Sequence, residues 1–275
     1  MGLACVTEGP VLERIGTMGV SSTVRPNPGA QTALRLRPLR AAVWGASGAA
    51  GSEVLRQCLT EPRIGEIVAF TRRPLAIDPR DRARVVEVHV ADFLDMTQHR
   101  GALRDVDVAF WCLGVSQLAE PKKEGYRRVT RDFALASATI LRQESPDAIF
   151  HFLSGLGAAR NGCSPVMWGR VKGEAELALA RLGFARLVVW RPTFIHAVAG
   201  RERPTRGDLM AERLYFRFIP LLTISTVNLA QAMLQSTLQA QAQAQGHGAQ
   251  TYGPWRINRI ARAYRASSQQ GQERW

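Results

Sequence analysis

Val43-Trp44-Gly45-Ala46-Ser47-Gly48-Ala49-Ala50-Gly51 is the stretch that decides how this chain folds. It follows Leu39-Arg40-Ala41-Ala42, a short run able to form a buried strand, and leads into Ser52-Glu53-Val54-Leu55-Arg56-Gln57-Cys58-Leu59, whose apolar spacing is helical. Strand, glycine turn and helix stand in the order that a dinucleotide site needs. The glycines let the backbone turn tightly and approach a pyrophosphate, while the free amides at the head of the helix face the phosphate charge. The spacing is G-x-x-G-x-x-G, not the usual G-x-G-x-x-G. An ordinary strand-to-helix turn is the competing reading of these glycines alone.

Further along, Glu66-Ile67-Val68-Ala69-Phe70 reads as a second buried strand that ends in Thr71-Arg72-Arg73-Pro74. An NAD site places an acid near this position to bind the ribose hydroxyls, whereas a 2′-phosphate calls for arginine. Guanidinium pairs bidentately with phosphate, so Arg72 and Arg73 favour NADP(H). Val85 to Val90 alternates like a third strand, with His89 a strand residue, and runs into Asp92 and Phe93, which in such folds lie beside the adenine. Val106 to Gly114 gives a fourth strand whose end, Leu113 and Gly114, approaches the cofactor. Cys112 inside it is a buried small hydrophobe. A helix is predicted over Tyr126 to Leu141, a fifth strand over Ala148 to Ser154, a helix that runs on from Glu174 and Glu176 through Leu177, Leu179 and Leu182 and ends at Gly183, and a sixth strand over Ala185 to Trp190. The acids on the helix, Glu174 and Glu176, are expected to be solvated or paired with arginines.

These segments together resemble the short-chain dehydrogenase/reductase superfamily, specifically the atypical branch that includes the Tat-interacting protein-like oxidoreductases. The carriers are Gly45 to Gly51, Thr71-Arg72-Arg73, Cys112-Leu113-Gly114, Phe152-Leu153-Ser154-Gly155-Leu156-Gly157-Ala158, Val171-Lys172-Gly173-Glu174-Ala175-Glu176 and Arg191-Pro192. They come in the family's order across roughly residues 39–235. The resemblance implies a doubly wound, mainly parallel α/β sheet of the Rossmann type with helices on both faces. It also implies a nicotinamide near the ends of strands four to six, with Pro192, Thr193 and Phe194 as cofactor contacts. Of the serine, tyrosine and lysine that do the family's chemistry, it assigns Ser154 and Lys172. Four residues before Lys172, where the motif expects tyrosine, stands Trp168. Indole donates a hydrogen bond but is no general acid near neutral pH. Tyr126, Cys163, Ser164 or His196 are the substitutes to consider, or a substrate that needs no strong acid. Trp44 and Trp168 are both expected near the ligand.

The resulting expectation is an NADP(H)-dependent oxidoreductase acting on a small carbonyl or quinone-like substrate. Its alternative is a low-turnover NADP(H)-binding protein that senses redox state and regulates a protein partner. Composition fits both readings. The 275 residues suit one large α/β domain, over residues 39–265, with a substrate-side segment about 197–222 that includes a helix from Asp208. Residues 1–38, broken by Pro10, Pro26, Pro28 and Pro38, read as a flexible leader, and 266–275 as a frayed tail. In the leader, a targeting role competes with a start codon placed too early, Met18 being one candidate for the true start. The net charge of +13 comes from arginines spread along the chain without a basic nucleic-acid motif, so nucleic acid is not the expected partner. No apolar run approaches a membrane span. Cys5, Cys58, Cys112 and Cys163 form no C-x-x-C pair, which gives no metal site and makes a reducing cytoplasm the simplest compartment.

Overall fold

A computed structural model describes residues 37–196, 223–243 and 248–272. The leader to residue 36 and the substrate-side segment with its helix from Asp208 lie outside the described residues. The chain opens with β1 (Leu39–Trp44), α1 (Ala49–Thr60), β2 (Ile64–Thr71), β3 (Val85–His89) and β4 (Val108–Trp111). There follow α2 (Lys123–Arg127), a π turn (Arg128–Asp132), α3 (Phe133–Glu144), β5 (Ile149–Leu153), α4 (Met167–Arg181) and β6 (Arg186–Trp190). Then come β7 (Phe194–His196), β8 (Thr223–Ser225), α5 (Thr226–Gln243), β9 (Gly248–Tyr252) and α6 (Pro254–Gln272).

Seven strands form one sheet in the order β3-β2-β1-β4-β5-β6-β9, every pair parallel. The order reverses at β1, which pairs with β2 on one side and β4 on the other. A crevice opens outside the carboxyl ends of the strands at such a switch point. Alternation along β1 sends Ala41 and Val43 to one face and Ala42 and Trp44 to the other. The first face is covered by Val54 and Leu55 of α1, Leu229 and Met233 of α5 and Ile257 and Ala261 of α6. The second is covered by Ala134 and Ala138 of α3 and Ala175 and Leu179 of α4. Two separate apolar clusters on one parallel sheet make the fold doubly wound, as the β/α alternation predicted.

Particular elements differ from expectation. The helix predicted from Tyr126 starts at Lys123 and is interrupted by the π turn, a geometry frequent at functional sites. The short parallel pair of β7 and β8 carries no sequence signal, since three-residue strands are below any periodicity test. Helix α6 continues through Gln272, into the region read as tail, and Ser267 Oγ donates to Tyr264 O (2.8 Å) within it. Trp44 is fully buried, its ring stacked on Phe70 at 4.5 Å and tilted against Trp111 at 5.6 Å. Its indole therefore belongs to the core and not to the ligand cleft: it lies on the face covered by α3 and α4, whereas Ala46 and Ala50 of the glycine turn pack on the other. His151 also lies in the core, with Nδ1 accepting from Trp190 Nε1 (2.9 Å). That bond leaves Nε2–H to donate to Thr237 Oγ1 (3.0 Å), so the ring is a neutral strut between β5, β6 and α5, and burial lowers its pKa to about 3.

Candidate active site

The glycine turn is shaped by two close approaches. Gly45 has φ +76°, and a Cβ there would lie 2.8 Å from the Leu113 amide nitrogen and 2.9 Å from the Cys112 carbonyl carbon. Only a glycine lets the end of β4 pass so near the turn. A Cβ on Gly51 would sit 2.1 Å from the Gly45 carbonyl oxygen, so α1 packs its first turn directly on the loop. Gly48 is the N-cap of α1 and brings no side-chain acceptor to the helix's leading amides. Ala46 and Ala50 are buried beneath, while Gly45 and Ser47 face a cleft completed by Phe70, Thr71, Arg72, Arg73, Phe93 and Leu113. A backbone cradle with free amides and no competing side chain is what a pyrophosphate requires.

The loop after β2 is braced from both sides. Thr71 Oγ1 donates to Arg73 O (2.6 Å) and accepts from Arg73 N (3.2 Å), and His89 Nε2 donates to Arg72 O (2.8 Å). The side chains of Arg72 and Arg73 are exposed, and no described residue pairs with either guanidinium. Phe93 lines the cleft. Asp92 lies beside it with Oδ1 accepting from the Leu94 amide (3.0 Å) and Oδ2 meeting Arg128 (3.4 Å).

A second cleft, of about 340 Å³, brings together Tyr126, Ser154, Trp168, Lys172, Pro192, Thr193 and Phe194. Leu113 lines the first cleft and Val115 the second, with Gly114 exposed between them, so the two share the end of β4. Lys172 Nζ donates to Ser154 O (2.7 Å), and loss of solvent lowers its pKa to about 8, against an opposing pull from Glu176. Ser154 Oγ donates to Glu176 Oε1 (2.6 Å), so its lone pairs, not its proton, are left for a ligand. Trp168 leans on the loop after β5, where a Cβ on Gly155 would be 3.4 Å and one on Gly157 3.0 Å from the indole. Tyr126, 2% exposed, contributes a phenol whose pKa burial raises.

The other substitutes lie outside this cleft. Cys163 is exposed in a loop, with its Sγ 3.7 Å from Asn161 O. Ser164 is buried against Gly169, whose Cβ would fall 2.2 Å from its Oγ. His196 ends β7, one residue beyond the cleft wall at Ile195. The Cys112 thiol is pushed up to about 12 by burial, far from nucleophilic range.

Sequence reasoning missed the role of Glu176. Its fully buried carboxylate accepts from Ser154, from Arg160 Nε (2.9 Å) and from Arg191 Nε and a terminal nitrogen (2.8 and 2.5 Å). Arg160 also reaches Thr251 of β9 (3.2 Å). One carboxylate thereby ties the ends of β5, β6 and β9 to α4. The available signal was its spacing: four residues after Lys172, it shares that lysine's helix face.

A scan against protein-family profiles matches none. The protein HTATIP2 of Rattus norvegicus is 30% identical over 173 residues, spanning 63% of this chain and 69% of the rat protein. The chain belongs to the atypical short-chain dehydrogenase/reductases, in their HTATIP2-like branch. Solved structures show the same fold. An oxidoreductase of the short-chain family from Burkholderia thailandensis superposes with a TM-score of 0.56 at 17% identity, over 79% of this chain and 91% of that one. A short-chain dehydrogenase from Burkholderia cenocepacia, solved in complex with NADP, gives 0.52 at 18% identity, over 86% and 97%. Within this short-chain branch the two clefts stand where the fold's switch point puts a dinucleotide.

Proposed function

We propose that this protein is an NADP(H)-dependent oxidoreductase acting on a small carbonyl or quinone-like substrate. The observation that carries the cofactor choice is the pair of exposed guanidiniums, Arg72 and Arg73, at the glycine-turn cleft, with which no described residue pairs. A 2′-phosphate supplies the bidentate acceptor that they lack. When bound, the nicotinamide supplies the hydride chemistry. The chain's own residues bind, orient and move a proton. Lys172 lines the second cleft with its ammonium held on the Ser154 carbonyl, and Pro192, Thr193 and Phe194 form part of its wall. Trp168 fills the position of the family's acid with a ring that cannot serve as one. Tyr126 is the phenol that lines that cleft, and like any phenol it carries its proton at neutral pH, so it takes the role of proton donor. Free thiols at Cys58, Cys112 and Cys163 support a reducing, cytoplasmic setting.

Calorimetric titration tests the cofactor. NADPH is expected to bind at least tenfold more tightly than NADH, and Arg72→Ala with Arg73→Ala to weaken NADPH by roughly 10- to 100-fold while changing NADH by less than about threefold. Equal affinities in the wild type would refute the arginine assignment. The proton donor is tested on a panel of small carbonyls and quinones. Tyr126→Phe should lower kcat about a hundredfold with cofactor affinity unchanged, and Trp168→Tyr should raise carbonyl turnover. Undiminished turnover in the Tyr126 variant would remove that residue from the mechanism. The presence of Trp168 favours one second reading, a low-turnover NADP(H)-binding regulator of a protein partner. Tight NADPH binding with no turnover on the whole panel would select it.

A further inference from the structure

The C-terminal layer of the fold carries a charge pattern that the dinucleotide site does not use. From Thr223 to Gln272 the sequence contains no Asp, Glu or Lys, and its arginines are Arg256, Arg259, Arg262 and Arg265, all on α6. One face of α6 packs on the core through Ile257, Ala261 and Tyr264. Arg265 turns toward α5 and donates to Asn228 (2.9 Å) and Gln231 (2.7 Å). Arg256, Arg259 and Arg262 are exposed, as is Trp255 at 75%. At about 100° per residue these four side chains fall within roughly a third of the helix circumference, and the arginines rise over about 9 Å along its axis. Arg256 is pinned over the Tyr252 ring at 4.7 Å. No described residue forms an ion pair or side-chain hydrogen bond with Arg259 or Arg262.

We propose that this face of α6 docks on the surface of an anionic phospholipid bilayer. Three exposed guanidiniums, on a stretch from Thr223 to Gln272 that carries no Asp or Glu, complement a plane of phosphate headgroups, and each such charge near the surface strengthens binding several-fold. Trp255 lies inside the same wedge, and an amphipathic indole seats at the headgroup level. The apolar face of α6 is already spent on the core, so the contact is peripheral and reversible, with no insertion of the helix. A lone exposed aromatic is a poor platform for single-stranded nucleic acid, which stacks successive bases on several rings. No described helix is long and apolar enough to cross a membrane, and the docking requires none.

Flotation of the full-length protein with vesicles tests this. The wild type should float with phosphatidylcholine–phosphatidylserine vesicles and stay behind with phosphatidylcholine alone, and binding should fall as salt rises. Arg256→Gln, Arg259→Gln and Arg262→Gln together should weaken binding roughly a hundredfold, and Trp255→Ala several-fold. The control removes the same charge elsewhere, through Arg80→Gln, Arg82→Gln and Arg104→Gln, at residues exposed by 88%, 57% and 69%. It should bind as the wild type does. NADPH affinity and thermal midpoint report that each variant is folded. Equal flotation with neutral vesicles, equal loss in the control, or unchanged binding in the α6 variant would overturn the proposal. So would displacement from the vesicles by duplex DNA at lower concentration than that of lipid phosphate, which would give the face to nucleic acid.

Discussion

Gly51→Ala is expected to abolish measurable NADPH binding, with at least a hundredfold loss of affinity, and to destabilise the fold by about 3 kcal/mol. The added methyl would sit 2.1 Å from the Gly45 carbonyl oxygen and 2.6 Å from its carbon, both backbone atoms that cannot rotate away. Relief requires α1 to lift off the turn, which moves the helix's leading amides away from the cleft. Gly48→Ala is the internal comparison. Its Cβ would meet the same oxygen at 3.3 Å, and its φ of −90° suits any residue, so the loss there should stay under about 1 kcal/mol and about fivefold in affinity. Urea unfolding and calorimetric titration of both variants measure the difference. If Gly51→Ala binds NADPH within threefold of the wild type, the turn does not hold the pyrophosphate.

The contrast between those two glycines shows what the sequence could and could not disclose. Strand, turn and helix were legible because the period of the apolar residues switches from a buried run to helical spacing across Gly45 to Gly51. The same logic placed β2, β4, β5 and β6, which lie inside the sheet and are nearly continuous in apolar residues, while the edge strand β3 was legible from its alternation. Which glycine bears the close contact was not legible, since that depends on where β4 and α1 pass in space. Trp44 illustrates the limit from another side. Its position beside the turn made it look like a reporter of ligand, but strand alternation sends its ring to the opposite face. At the second cleft, the motif spacing named Ser154, Lys172 and Trp168, and the fold gathers them. Tyr126 joins them from a helix 28 residues before Ser154, and only the path of the chain around the π turn brings it there. For Glu176 the sequence offers solvation or pairing with arginines; it is paired, and what the sequence does not report is that the charge is fully buried. Its partners Arg160 and Arg191 arrive from two different loops.

That buried cluster leads to the second large effect. Glu176→Ala should cost about 3–5 kcal/mol, because it strands two guanidiniums and the Ser154 hydroxyl around an emptied, fully buried position. Arg191 is only 23% exposed on its side chain and cannot turn fully to water, whereas Arg160, at 38%, recovers more of its hydration. The penalty should therefore fall mainly on the end of β6, and with it on the Pro192 to Phe194 wall of the second cleft. Glu176→Gln keeps the shape and one acceptor but turns an amide donor toward a guanidinium or toward Ser154, and should cost about half as much. Pairing Glu176→Leu with Arg191→Leu removes both members of the cluster's shorter ion pair, and should recover at least 1 kcal/mol relative to Glu176→Leu alone, since an unpaired buried charge costs more than an apolar replacement of both partners. The readout is the urea midpoint, followed by NADPH titration of whichever variants fold. A Glu176→Ala protein within 1 kcal/mol of the wild type would mean that the cluster is solvated in solution, and the carboxylate would then have no claim to set the hydrogen bonding of Ser154. If stability falls and NADPH affinity falls with it, the same carboxylate that holds four elements together also orients the residues on which the proposed chemistry depends.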